Sequence, residues 1–221
     1  MDFQFKSISV EKEHIGIAFC DSKLRLIGYA KKLDQLSKKH ISGQLKSDLS
    51  FLNRKSKQFD YCVIHNPDNL KLSKLYIFKL KDYNNYSIRD FQILGGHLRS
   101  LISFYQEDKV GIYPDGIISK KVSFINGISE MLIGSLLASY KFNKYKKINN
   151  KNNKIKKPSR VKIYSSSYSR LEKNYINVEA VSEGTALTRN LVTEPPNVMT
   201  PPEIAKNAVS LEKFGIKVTV L

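Results

Sequence analysis

The chain has 221 residues, 37 of them lysine or arginine against 20 acidic, and a formal net charge of +17. That length suffices for one large domain or one and a half smaller ones with a real core. No apolar run approaches the roughly 20 residues that cross a bilayer, and "MDFQFKSISV" lacks a charged start leading into an apolar stretch, so neither a membrane span nor a secretory signal is expected.

The first third reads as short strands and turns. "SISVEK" and "IGIAFC" bracket a polar turn and have the apolar character of strands. "LDQLSKKHISGQL" predicts one short amphipathic helix with Leu33, Leu36 and Ile41 on one side and Gly43 near its end. "FDYCVIHNPDNL" predicts a strand closed by an Asn-Pro turn, and "KLYIFKLKD" another, rich in residues that suit a pleated sheet. Cys20 and Cys62 each fall in such a run, without ligand-like spacing. They read as small buried apolar residues, and the compartment expected is the reducing cytoplasm.

From Ile88 the period becomes helical, with Phe91, Leu94, Leu98, Leu101 and Ile102 in register. The Gly95-Gly96 pair inside that helix suggests close packing against a strand. "KVGIYPD" predicts a strand and "ISEMLIGSLLASYKF" a second apolar helix. Strands alternating with helices argue for an α/β sandwich with a mixed sheet.

Residues 141–162, "KFNKYKKINNKNNKIKKPSRVK", hold ten basic residues and no acidic one. This segment is either a solvated linker or an arm for nucleic acid or another polyanion; the scarcity of arginine favours the linker. After the strand-like "RVKIYSS", a helix from Leu171 to Thr193 carries two apolar faces. Ile176, Ala180, Leu187 and Leu191 form one, and Val178, Val181, Thr185 and Val192 the other, so packing on both sides is expected.

"RNLVTEPPNVMTPPEIAKNA" places four prolines in eight residues. Pro195 should end the incoming helix near Glu194. Thr200 should cap a new helix, with Pro201 at its first position, Glu203 closing a capping box and Met199 and Ile204 forming a hydrophobic staple. The stretch reads as a rigid extended connector, the alternative being a flexible surface loop. Gly215 should stop the new helix, and "IKVTVL" alternates as a strand.

This connector, preceded by "AVSEGTALT" and followed by "FGIKVTVL", resembles the segment joining the two domains of the leucyl (cytosol) aminopeptidase family. Arg189, Leu191, Pro195, Asn197, Thr200 and Pro201 fit the family pattern, while Asn190 replaces its usual aspartate and Thr193 its usual asparagine. Upstream, "GSLLASYKFNKYK" (Gly134 to Lys146) resembles a second family motif, with Asn143 where aspartate is common. The resemblance implies a macro-domain-like N-terminal mixed sheet flanked by helices over 1–147. It further implies the basic segment and a strand over 148–170, the inter-domain helix and connector over 171–200, and the beginning of a truncated catalytic α/β domain over 201–221.

It also implies a hexameric enzyme that removes N-terminal residues from peptides with two divalent metal ions, Zn, Mn or Mg, held by residues downstream of this chain. The 221 residues are therefore expected to be a fragment, or a split or decayed gene product, inactive alone and partnered by the catalytic domain in cis or as a separate chain. No catalytic, cofactor-binding or metal-ligating residue is assigned. His14, His40, His65 and His97 stand apart, without HxH or HExxH spacing. His65 reads as a turn residue, and His97 as a helix residue touching the sheet. Gly95-Gly96-His97 lacks the context of a phosphate loop, and Ser165-Ser166-Ser167 that of a nucleophile elbow.

Overall fold

The computed structural model describes residues 2–9, 13–48, 59–105, 109–146 and 160–220. Phe3 and Phe5 alternate inward along β1 (Asp2–Lys6), and the run Ile15 to Cys20 is buried on both faces of β2 (Glu13–Asp21). With β3 (Phe59–His65), β4 (Leu72–Leu80), β5 (Lys109–Ile112) and β6 (Arg160–Tyr164) they form one sheet in the order β1-β6-β5-β2-β4-β3. Only β3 runs antiparallel to its neighbour. Its hairpin to β4 turns at Asn66 and Asn69, both at positive φ, as the Asn-Pro signal predicts. The six-stranded mixed sheet flanked by helices is the architecture expected. β6 is an interior strand, lying between β1 and β5.

The first strand is not "SISVEK". Alternation of Phe3 and Phe5 against the core places it at Asp2–Lys6, Ser7 to Ser9 lie outside any strand, and residues 10–12 are outside the described set. The single helix expected across 33–45 is two: α1 (Ala30–Leu36) and α2 (His40–Ser47). Lys38 and Lys39 both take left-handed φ between them. The Asp34 carboxylate accepts from the Ser42 amide at 2.8 Å, satisfying a free N–H at the start of α2. Leu33, Ile41 and Leu45 are buried under one face of the sheet, whereas Leu36 points outward at 43 % exposure.

The other face is covered by α3 (Ile88–Tyr105), α4 (Phe124–Ser139) and α5 (Tyr168–Thr193). The Gly95 expectation is half right: the glycine does allow close approach, but to a helix rather than a strand. A Cβ at Gly95 would lie 1.9 Å from the Met131 carbonyl oxygen, and one at Gly134 2.0 Å from that of Gln92. The α3 and α4 backbones therefore touch through paired small residues. Ser135 seals the contact, donating to the Gly95 carbonyl at 2.8 Å. His97 is exposed on α3 and is not buried against the sheet.

α5 buries one face only. Leu171 and Val178 pack inward, and Tyr175 meets Phe3 and Phe5 with ring centroids 6.0 and 5.3 Å apart. Ile176, Val181, Leu187 and Val192 remain exposed, so the expected packing on two sides is not found among the described residues. Beyond it, α6 (Pro201–Val209) and a 3-10 turn (Ser210–Phe214) end at Gly215 with φ +82°, the expected glycine stop. Residues 216–220 are not a strand; alternation alone makes no ladder without a neighbour to bond.

Gly134→Ala should destabilise the chain by about 3 kcal/mol in urea unfolding followed by tyrosine fluorescence, because backbone has to move to admit the methyl. Gly184→Ala, in the open on α5, should instead stabilise by roughly 0.5–1 kcal/mol.

Candidate functional site at the proline joint

No site residue is assigned from the sequence, and the structure gathers no metal centre: among the described residues no group of three His, Cys, Asp or Glu is placed to hold an ion. The histidines lie in separate elements, His14 in β2, His40 in α2, His65 at the end of β3 and His97 in α3. His40 accepts at Nδ1 from the Asp68 amide, 3.2 Å away, and lies 3.3 Å from the Asp68 carboxylate. Cys20 and Cys62 are free and buried, as expected. Burial, chiefly, pushes the Cys20 thiol up to about 12, which keeps it protonated and unreactive.

Open α/β sheets bind ligands beyond the carboxyl ends of their parallel strands. Here described residues crowd part of that edge. Gly28 and Asp115 meet backbone to backbone, a Cβ at Gly28 falling 1.5 Å from the Asp115 carbonyl oxygen. Tyr29, Tyr113 and Tyr164 stack in a row at 5.4 and 5.1 Å. Just before α5, the Asp115 carboxylate takes the Ser165 hydroxyl at 2.5 Å, the Ser166 hydroxyl at 2.7 Å and the Ser166 amide at 2.9 Å. The three serines are thus a structural loop, as the sequence suggests.

Side chains of separate segments converge where α5 ends. Arg189 donates through Nη1 to the Leu137 carbonyl at 2.8 Å, satisfying an orphan acceptor in the last turn of α4. Its guanidinium also lies 5.5 Å from the centre of the Tyr140 ring. The Tyr140 hydroxyl donates to Asn190 Oδ1 at 2.7 Å. An amide oxygen accepts there as a carboxylate would, so this bond does not need the aspartate usual in the family pattern.

Pro195 ends α5 at Thr193 as expected, and Glu194 turns extended (φ −63°, ψ 142°). Lys144 Nζ donates to Glu194 Oε1 at 2.6 Å while the Tyr145 hydroxyl donates to Oε2. The carboxylate is 7 % exposed and Lys144 56 %. The hydrogen bond from Lys144, then that from Tyr145, hold the Glu194 carboxyl below the usual carboxylate range. The same bond to Glu194 raises Lys144 above the usual amine range.

The connector is a tight turn rather than an extended strut, with the Val198 and Met199 amides both donating to the Pro195 carbonyl at 2.9 and 3.0 Å. Thr200 stands at the cap position with Pro201 next, but its side chain makes no capping bond; Glu203 pairs with Lys206 at 3.4 Å instead of closing a box. Between α5 and α6 lies a cleft of about 240 Å³, floored by Leu187, Leu191, Val198 and Met199. Lys144 and Tyr145 fall in the second motif and Glu194 at the expected helix end, but their contact was not expected from sequence. The signal was the two motifs themselves, about fifty residues apart and in the expected order, which here become contact partners. Most of the basic segment, 147–159, lies outside the described residues.

No protein-family model matches the chain. It is 30 % identical over 156 residues to a probable cytosol aminopeptidase of Rhizobium leguminosarum, covering 70 % of this chain and 31 % of the relative. The chain belongs to the leucyl aminopeptidase family. A probable cytosol aminopeptidase of Brucella anthropi is 37 % identical over 95 residues, covering 42 % of this chain and 19 % of that relative. A tomato leucine aminopeptidase variant shares the fold at a TM-score of 0.66 and 16 % identity, covering 97 % of this chain and 42 % of its own. The bottromycin maturation enzyme BotP has a TM-score of 0.59 and 12 % identity, covering 93 % and 38 %. The match is to the N-terminal part of the family, and the chain spans about a third of the length of the Rhizobium leguminosarum relative.

The joint should be pH-bounded. A depressed Glu194 stabilises it above the ordinary carboxylate range, and that contribution is lost as pH falls through the lowered value. A raised Lys144 stabilises it below the ordinary amine range, and that is lost as pH rises through the higher value. Carboxyl-carbon NMR titration should find Glu194 below a free glutamate, and moving up toward it in Lys144→Met while the Tyr145 bond still holds it down.

Proposed function

We propose that this chain is the non-catalytic N-terminal part of a metal-dependent leucyl aminopeptidase that releases N-terminal residues from peptides. The observation that carries the proposal is the joint itself. Two family motifs about fifty residues apart close on each other, and together they aim the chain away from the α/β sandwich. The segment beyond the joint suits a covered surface: residues 201–220 bury no side chain, and Ile204, Phe214, Ile216 and Val220 are each more than half exposed. The outward stripe of α5, including Ile176 and Leu187, is exposed as well. Both surfaces fit a catalytic domain, contributed in cis or by a separate chain.

The two divalent metals of the proposed enzyme would polarise the scissile carbonyl and activate water. The described residues offer no ligand set that fits them, so no step of that chemistry is routed through this part of the protein. Its own work is to fold, to hold the joint and to support assembly, for which a homo-hexamer is the arrangement proposed. No helix among the described residues is long and apolar enough to cross a membrane, and a cytoplasmic location is proposed.

The purified 221-residue chain should show no turnover of Leu-p-nitroanilide with added Mn²⁺; metal-dependent turnover would place a catalytic centre within it. Grafted in place of the matching span of the Rhizobium leguminosarum relative, it should support hydrolysis of that substrate. A folded graft without activity would count against the domain assignment.

A further inference from the structure

Among the described residues, α6 packs chiefly against the turn that succeeds it, and nothing from 201 to 220 is anchored in the core. Its direction is therefore decided at the joint. Arg189 and Asn190 are tied to Leu137 and Tyr140, but both sit inside α5 and fix that helix rather than the connector beyond it. Glu194 differs. It is the first residue past the helix, its backbone already extended, and its carboxylate reaches back to the 140–146 segment.

Each carboxylate oxygen has its own donor, Lys144 on Oε1 and Tyr145 on Oε2. Two bonds to one planar group fix its orientation as well as its position. A rotation about φ of Glu194 that swung the connector would carry the carboxylate off both donors at once, and ψ is held extended by Pro195. An ion pair with one exposed partner adds little stability in itself, so the importance of this one is geometric. The other carboxylate lining the cleft, Glu203, is held by Lys206 on its own helix.

We propose that Glu194 is the positioning residue of the joint: held by Lys144 and Tyr145, it sets the direction in which the chain leaves the sandwich. This deepens the aminopeptidase reading and rests on it only for the part of the enzyme beyond the joint.

Amide hydrogen exchange on the folded 221-residue chain tests the proposal without any peptidase assay, so its failure would leave the family reading standing. In Glu194→Ala and in Lys144→Met, the amides of Val198, Met199 and Ile204 should exchange about tenfold faster than in the parent, while those of β2 and β4 are unchanged. The double variant Lys144→Glu with Glu194→Lys should recover protection to within about threefold, a rescue that a merely space-filling side chain would not give. Exchange at the parent rate in both single variants with the sheet intact would overturn the proposal. So would a double variant as unprotected as the singles.

Discussion

The contact on which the rest depends is the meeting of α3 and α4 through Gly95 and Gly134. Each glycine faces a main-chain carbonyl with no room for a methyl between. Close approach lets Ser135 bridge the helices and lets Gln92 donate to Glu130 at 2.7 Å. α4 then becomes a platform at a fixed height above the sheet. Asn174 of α5 donates to Ser129 at 2.7 Å near one end of that platform, and Arg189 grips Leu137 near the other. The register of α5, and with it the place where the chain meets its prolines, depends on how deeply α4 is seated.

Much of this was legible because it is local. The burial of β2 and β4, the helical spacing of α3, the stop before Pro195 and the glycine that ends the 210–214 turn all express backbone preferences acting within a few residues. The errors share a different cause. Val181 and Val192 look like a second packing face, but whether an apolar stripe is covered depends on a neighbour the stripe cannot name. "IKVTVL" alternates as a strand should, yet a strand is a pairing, and pairing is a property of two segments. The glycine pair announced close approach without saying to what. At Lys38-Lys39 the Asp34 carboxylate and the burial of Leu33 and Ile41 outweighed the continuity of the amphipathic pattern.

The joint shows a similar division. Its two motifs could be seen separately and in the right order, but their contact could not. Asn190, a departure from the family pattern, preserves an acceptor for Tyr140. Glu194 was expected only as the helix stop, which its place before a proline explains. Only the return of the chain through β6 and α5 brings it against Lys144 and Tyr145.

Asp115 gives the sandwich its character. By offering a carboxylate to Ser165 and Ser166 ahead of α5, the protein supplies its own anion where helix starts in such folds attract phosphate from outside. The start of α5 thus meets a carboxylate from its own chain, and the 113–116 loop and the 165–167 loop are tied together by it.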